Sequence, residues 1–349
     1  MSTSATPTAY GRIFAPRQSW LDRAPSEALL EPELPIVDTH HHVWETPDRG
    51  RYMLDELHAD LGSGHNVIAT VFIDCHHAYR ADGPEAMKAV GEVEAVARLA
   101  DESDRKFPGK ARVAQGIVGN ADLTLDHRVV PVLEAMIEAG RGRFRGVRNS
   151  AGWHEDPIIG NNHQGFGKGH YARDDFRSGL RRLSRMGLSL DALVYHTQHA
   201  DLVALARAVP DANIILNHTG MPLGYGPYKG KLDEVASIWR AGIAEIAKCP
   251  NVSMKLGGMM MRLASYDYNL APAPISSEEL ARQWRPWIEP CIEHFGARRC
   301  HFESNFPVDK MGIGYKALYN AFKRIAAGCS ASEKADLFAG TAKRVYRLT

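Results

Sequence analysis

The chain has 349 residues, with 42 Lys and Arg against 41 Asp and Glu and a formal net charge of +1. So even a balance excludes nucleic-acid or membrane-surface binding driven by bulk charge, and no run approaches the roughly 18 consecutive apolar residues of a membrane span. The cysteines, Cys75, Cys249, Cys291, Cys300 and Cys329, are odd in number and form no CxxC pair, which argues against a disulfide framework or a thiolate zinc site.

Residues 1–33 are polar and Pro-rich and are expected to form an arm on the surface of a single domain spanning 34–349. The N-terminus lacks the charged start and apolar core of a secretory leader, so a cytoplasmic location is the default expectation. From residue 36 a rhythm begins. Short apolar segments read as buried strands at Ile36–Trp44, Val67–Cys75, Arg112–Gly119, Phe144–Asn149, Leu188–His196, Ile214–His218, Val252–Leu256 and Cys300–Phe306. Helical patterns lie between them at Glu85–Phe107, Val129–Ala139, Asp175–Met186, Ala200–Val209, Leu232–Lys248, Ser277–Phe295 and Tyr315–Ala327. Ser332–Tyr346 closes the series, with Ser332 as its cap. Eight alternating units predict an α/β fold, a (β/α)8 TIM barrel. No GxGxxG or GxxxxGK[ST] supports a nucleotide-binding open sheet. The segments leaving the strands are long and rich in Gly, Pro, His and aromatic residues, as in Glu45–Gly64, Ser150–Asp174 and Gly257–Ser276, whereas the returns are short. That asymmetry places a site at the C-terminal face.

The strongest local signal is the histidine run at the end of the first strand. Strand alternation puts Asp38, His40 and His42 on one face, where two imidazoles can grip a divalent metal ion or form a hydrogen-bonded cluster. His196 and His218 close the fifth and sixth strands on the same rim. In the eighth strand Glu303 and Asn305 share a face. Asn305 can position a water but cannot act as a base. Glu303 is either the base or a buried partner of Arg148 or Lys255, and Asp309 is a weaker candidate. Arg148 and Lys255 are candidate contacts to an anionic small-molecule substrate, with His76, His77 and Tyr79 lining the pocket. His154, His163 and His170 lie in a Gly-rich loop that reads as a lid or a mobile surface loop. Met259, Met260 and Met261, with Tyr266 and Tyr268, read as an apolar pocket wall or a subunit contact, which makes a homodimer a candidate assembly.

The motifs DTHHHVW, VYH, NHTGMP and FESNFP, in that order along residues 34–349, resemble the amidohydrolase-related family. The resemblance is closest to its lactonase-type branch, with sugar-acid lactonases and 2-pyrone-4,6-dicarboxylate lactonase; metal-dependent decarboxylases form sister branches. It implies His40, His42 and His196 as metal ligands and His218 as the histidine of the sixth-strand motif. Asn305 stands where the family carries its catalytic Asp, and Asn217 precedes His218. No lysine on the fourth strand is available to bridge two metals. The implied cofactor is one divalent ion, zinc or manganese, with a metal-free site as the alternative. The leading expectation is hydrolysis of a lactone or related cyclic ester carrying a carboxylate. His218, Glu303 and Asn305 would be catalytic, and Arg148, His76, Tyr79 and Lys255 would bind substrate. The alternatives are a non-oxidative decarboxylase of an aromatic acid and a catalytically silent ligand-binding barrel.

Overall fold

The computed structural model describes residues 13–160, 165–261 and 267–349. In chain order the strands are β1 (Ile36–His41), β2 (Trp44–Thr46), β3 (Gly50–Tyr52), β4 (Val67–Ile73), β5 (Arg112–Gly119), β6 (Phe144–Ser150), β7 (Ser189–Leu193), β8 (Asn213–Leu216), β9 (Val252–Leu256) and β10 (Cys300–Phe302). Eight of them form one parallel sheet in the order β1-β4-β5-β6-β7-β8-β9-β10. The sheet curls into a barrel. Between β10 and β1, His42 N–H donates to the Phe306 carbonyl at 2.8 Å, and Thr39 Oγ1 donates to the Phe302 carbonyl at 2.8 Å.

The helices are α1 (Gln18–Leu21), α2 (Leu54–Leu61), α3 (Val90–Lys106), α4 (Val130–Ala139), α5 (Asp174–Arg185), α6 (His199–Ala208), α7 (Leu232–Ala247), α8 (Ser277–Phe295), α9 (Tyr315–Ile325), α10 (Ala331–Ala335) and α11 (Thr341–Val345). No helix among the described residues is long and apolar enough to cross a membrane. All five cysteines are free thiols.

Strands buried on both faces read as continuous apolar runs because each face meets a different core. The outward side chains, such as Phe72, Val147, Ile214 and Leu256, pack under the helices. The inward ones, Val37, Val71, Ile73, Val118 and Ile215, form a separate apolar floor inside the barrel, joined by Tyr346 and Leu348 of the C-terminal segment. Above that floor the inward positions turn polar, and the site begins there.

One irregularity decides which histidines face the barrel. Asp38 pairs with Thr70 and His41 with Phe72, so β1 takes three steps where β4 takes two. The extra residue is a β-bulge, and it reverses the facing of everything after it. Asp38, expected to share a face with His40 and His42, instead accepts from Ser304 N–H at 2.9 Å and from the Tyr315 hydroxyl of α9 at 3.0 Å. His41 packs on Phe72 and meets Thr70 Oγ1 at 2.9 Å.

Other differences are local. The segment expected as a loop over 45–64 holds the β2–β3 hairpin and α2. The described part of the arm is laced onto the barrel. Phe14, Trp20 and Leu21 are buried. Arg17 donates to the Asn269 carbonyl, Trp20 Nε1 to that of Ala271 at 2.8 Å, and Arg23 to that of Pro272 at 3.4 Å. The closing helix is three pieces, α10, a π-helical turn at Asp336–Gly340, and α11. Its cap is Ser330 and not Ser332. Ser330 Oγ accepts from Glu333 N–H at 3.3 Å while the Glu333 carboxylate accepts from Ser330 N–H at 2.8 Å, a reciprocal box that Ser332 stands too late to make. Ser330→Ala should therefore lower the unfolding free energy by about 1 kcal/mol. Ser332→Ala should stay within about 0.5 kcal/mol of wild type. Urea denaturation of the two variants checks the pair.

Candidate active site

The centre of the site is a carboxylate with no exposed surface. Glu303 follows β10 and points into the barrel. Its Oε1 accepts from both the backbone N–H and the ring Nδ1 of His218, at 2.9 and 2.8 Å. Its Oε2 lies 2.8 Å from Nδ1 of His40. Burial works to raise the Glu303 carboxyl, but its electrostatic and hydrogen-bonding interaction with His218, aided by the Lys255 charge, outweighs it and holds the group below the ordinary range. An ionised oxygen at 2.8 Å demands a proton on the facing nitrogen, so both rings carry theirs on Nδ1. That leaves the Nε2 lone pairs of His40 and His218 as acceptors.

His42 reaches the same tautomer by another route. Its Nδ1 meets the Ile73 carbonyl at 2.9 Å. Its Nε2 lies 3.2 Å from Nε2 of His40, and with both protons on Nδ1 neither of these atoms carries one. Two bare lone pairs at this distance repel unless a cation or a donor sits between them. Two nitrogen ligands of a tetrahedral zinc lie roughly 3.3 Å apart. Each Nδ1–H is held from behind by a carboxylate or carbonyl, the usual support of a metal-binding imidazole. The residues present therefore fit one divalent ion at the two Nε2 atoms. His40, His218 and Glu303 also offer one ligand atom each within 4.8 Å of one another. The 2.8 Å approaches of the Glu303 oxygens to the two Nδ1 atoms, however, leave no room for an ion between them. Burial, followed by the Lys255 charge for His40 and the Arg148 charge for His42, depresses both imidazoles well below the ordinary histidine value.

His196 does not join this network. Among the described residues no hydrogen bond, ion pair or ring contact links it to His40, His42 or His218. Its ring packs edge-on against Tyr228, 5.0 Å between centroids. Its Nδ1 accepts from Leu223 N–H at 3.3 Å, so in the neutral ring Nε2 carries the proton, and that buried N–H makes no hydrogen bond among the described residues. A ring so arranged presents its Nε2–H to the cavity side of the loop contact, and the described contacts do not bring it beside His40 and His42.

The two cations both lie beside His40. Arg148 on β6 donates to the Asp74 carbonyl, lies 3.4 Å from the Asp74 carboxylate, and comes within 3.5 Å of His40 Nε2. Lys255 on β9 points inward but sits beneath the histidines, 2.7 Å from Asp191 and 3.3 Å from His40 Nδ1. Each faces a buried carboxylate. Asn305 donates its Nδ2 to Asp309 at 2.9 Å, which turns its carbonyl oxygen away from that partner. Burial raises the Asp309 carboxyl well above its ordinary value. His76 and Tyr79 stack at 4.8 Å beyond β4, within reach of the Asp74 charge.

The lid residues divide. His154 Nε2 meets the Tyr228 hydroxyl at 2.9 Å, His170 packs between Phe166 and Phe176, and His163 and Tyr266 lie outside the described residues. Met259 and Met260 are buried against the site loop, and Asp309 accepts from Met260 N–H at 3.3 Å.

Backbone strain gathers here. Of the non-glycine residues with left-handed φ, His76, Ala78, His218, Thr219, Met221 and Asn305 all lie on loops leaving β4, β8 and β10. Each costs on the order of 1–3 kcal/mol and persists only where its surroundings hold it. Gly257 and Gly258 give the room: a Cβ on Gly258 would overlap His218 Nδ1, and one on Gly257 would overlap the Glu303 carbonyl.

Residues 37–348 match the family model described as Amidohydrolase. An uncharacterized protein, y4mH, of Sinorhizobium fredii is 30% identical over 345 residues, covering 90% of this chain and 99% of that protein. An L-fucono-1,5-lactonase of Burkholderia multivorans is 26% identical over 326 residues, covering 89% and 96%. A crystal structure of an amidohydrolase from Burkholderia multivorans with bound zinc superposes with a TM-score of 0.69 at 23% identity, covering 90% of this chain and 99% of that one.

Burial holds His41, His196 and His199 at about 4. The unfolded chain, with ordinary imidazoles near 6.5, binds more protons than the folded one between these values. The stability that these three rings contribute is therefore full above about pH 6.5 and is lost as the pH falls toward 4. Proton–nitrogen spectra of histidine-labelled protein should show these three rings still neutral at about pH 5.5; rings that charge near 6.5 would contradict their burial.

Proposed function

The chain belongs to the amidohydrolase family and is a hydrolase, and from that premise we propose that it opens a lactone ring with His218 as the general base. The observation that carries the proposal is the 2.8 Å contact between Glu303 and His218 Nδ1, because it leaves the opposite nitrogen as a proton acceptor held in one orientation. Water held by the Asn305 carbonyl oxygen loses a proton to His218 Nε2 as its oxygen attacks the lactone carbonyl carbon. The Nε2–H of His196 donates to the carbonyl oxygen as negative charge gathers there. The ring C–O bond then breaks, and the departing alkoxide takes the proton back from His218, giving a hydroxy acid. Glu303 holds both imidazoles throughout and does not itself accept a proton.

His40 and His42 would hold a zinc-type ion through Nε2. Bound there, such an ion supplies Lewis-acid polarisation of the substrate.

The substrate's recognised end is proposed to be uncharged and hydroxylated. A carboxylate on the substrate would have to compete with Asp74 for Arg148 and with Asp191 for Lys255. The L-fucono-1,5-lactonase relative, whose name denotes a sugar lactone, supports this choice.

The purified protein should open neutral sugar-type lactones in a titrated panel and release no carbon dioxide from aromatic acids. Glu303→Gln should lower kcat by about a hundredfold or more with little change in KM. Absence of ring opening, with or without added zinc or manganese, refutes the proposal. Elemental analysis should find a divalent metal in the wild type that His40→Ala loses. Ring opening by a metal-free wild type would remove the ion and leave the base assignment standing.

A further inference from the structure

We propose that Tyr346 is a positioning residue for this site, acting through Asp191 and Lys255 on His40. The four residues form one line of contacts along the inside of the barrel. The Tyr346 hydroxyl donates to the Asp191 carboxylate, 2.9 Å from Oδ1 and 3.1 Å from Oδ2. Asp191 Oδ1 lies 2.7 Å from Lys255 Nζ. Lys255 Nζ lies 3.3 Å from His40 Nδ1, the nitrogen that also meets Glu303. The line starts on the C-terminal segment, in the apolar floor, and ends at the imidazole that faces His42.

Stability does not account for this arrangement. All four side chains are fully buried. An ion pair in a dry core contributes little net stability, because desolvating both charges offsets their attraction, and apolar side chains of similar volume do as well. The floor immediately below is made of such side chains. What apolar residues cannot do is brace the His40–Glu303 contact from beneath. Lys255 has three N–H groups and no acceptor; one goes to Asp191, and beside the protonated His40 Nδ1 the ammonium acts by its charge, which draws the Glu303 carboxylate that His40 also meets. Asp191 fixes how high the ammonium sits, and Tyr346, bonded to both carboxylate oxygens, fixes Asp191. The ammonium also lies 5.5 Å over the Tyr346 ring, which limits its drop toward the floor.

The test uses Tyr346→Phe, which keeps the ring and its packing and removes only the hydroxyl. Proton–nitrogen correlation spectra of histidine-labelled protein should show the His40 ring resonances shifting in the variant, with those of His196 unmoved and the melting temperature nearly unchanged. On a lactone that the wild type opens, kcat should fall roughly three- to tenfold, the loss of one buried hydrogen bond, with KM within about twofold. Adding Tyr346→Phe to Lys255→Met should shift His40 no further, because the line is already cut. The proposal is overturned if His40 is unmoved in Tyr346→Phe, or if the effect persists in the Lys255→Met background. The kinetic arm rests on the lactone reading and the spectroscopic arm does not. A protein that opens no lactone but still shows the His40 shift loses the former and keeps the latter.

Discussion

A buried carboxylate keeps its charge only where donors surround it, and most of the site follows from how Glu303 meets that demand. One oxygen is met twice by His218, through the backbone N–H and through the ring. A residue can present both groups to one atom only in a restricted backbone conformation, and His218 adopts a left-handed φ of 56°. That conformation brings its ring against the chain after β9, where only the absence of a side chain at Gly258 leaves space. The other oxygen faces His40 and fixes its tautomer. Charge, strain, glycine placement and imidazole orientation are thus one constraint seen at four residues.

The barrel itself was legible because alternation of apolar strands with helical patterns is set by burial, and burial is written in residue type. All eight barrel strands start within one residue of their expected starts, and α8 spans Ser277–Phe295 as expected. The convergence of His40, His42 and His218 was legible, because histidines end strands there. Face assignment was not, because a bulge leaves no mark in a run such as DTHHH, and parity counted from Asp38 is wrong by one residue. His196 sits where the pattern expects it, yet its tautomer depends on Leu223, a neighbour fixed only by the folded loop. Asp191 carried a signal that went unused: a carboxylate inside an otherwise apolar strand, SLDAL, has to find a cation. Lys255, also alone in its strand, is that cation.

The barrel interior is layered by polarity. Aliphatic side chains fill the lower end, one ion pair and the Tyr346 hydroxyl occupy the middle, and imidazoles with their carboxylate lie on top. Packing decides the lower layer and electrostatic pairing the upper ones. In the middle layer each charge has a partner, so that the low dielectric strengthens contacts instead of penalising lone charges. The strained loops stand on this layered support, which is where a barrel can hold backbone conformations that an isolated loop would relax.

Among the described residues, the hydrogen bonds that Arg17, Trp20 and Arg23 of the N-terminal strap give to the loop after β9 go to backbone carbonyls, at Asn269, Ala271 and Pro272. A carbonyl is the same whatever side chain its residue bears. Mutational drift in that loop can therefore reshape the wall of the cavity without loosening the fastening that holds it down, so substrate preference and loop anchorage are free to diverge independently across descendants of this fold.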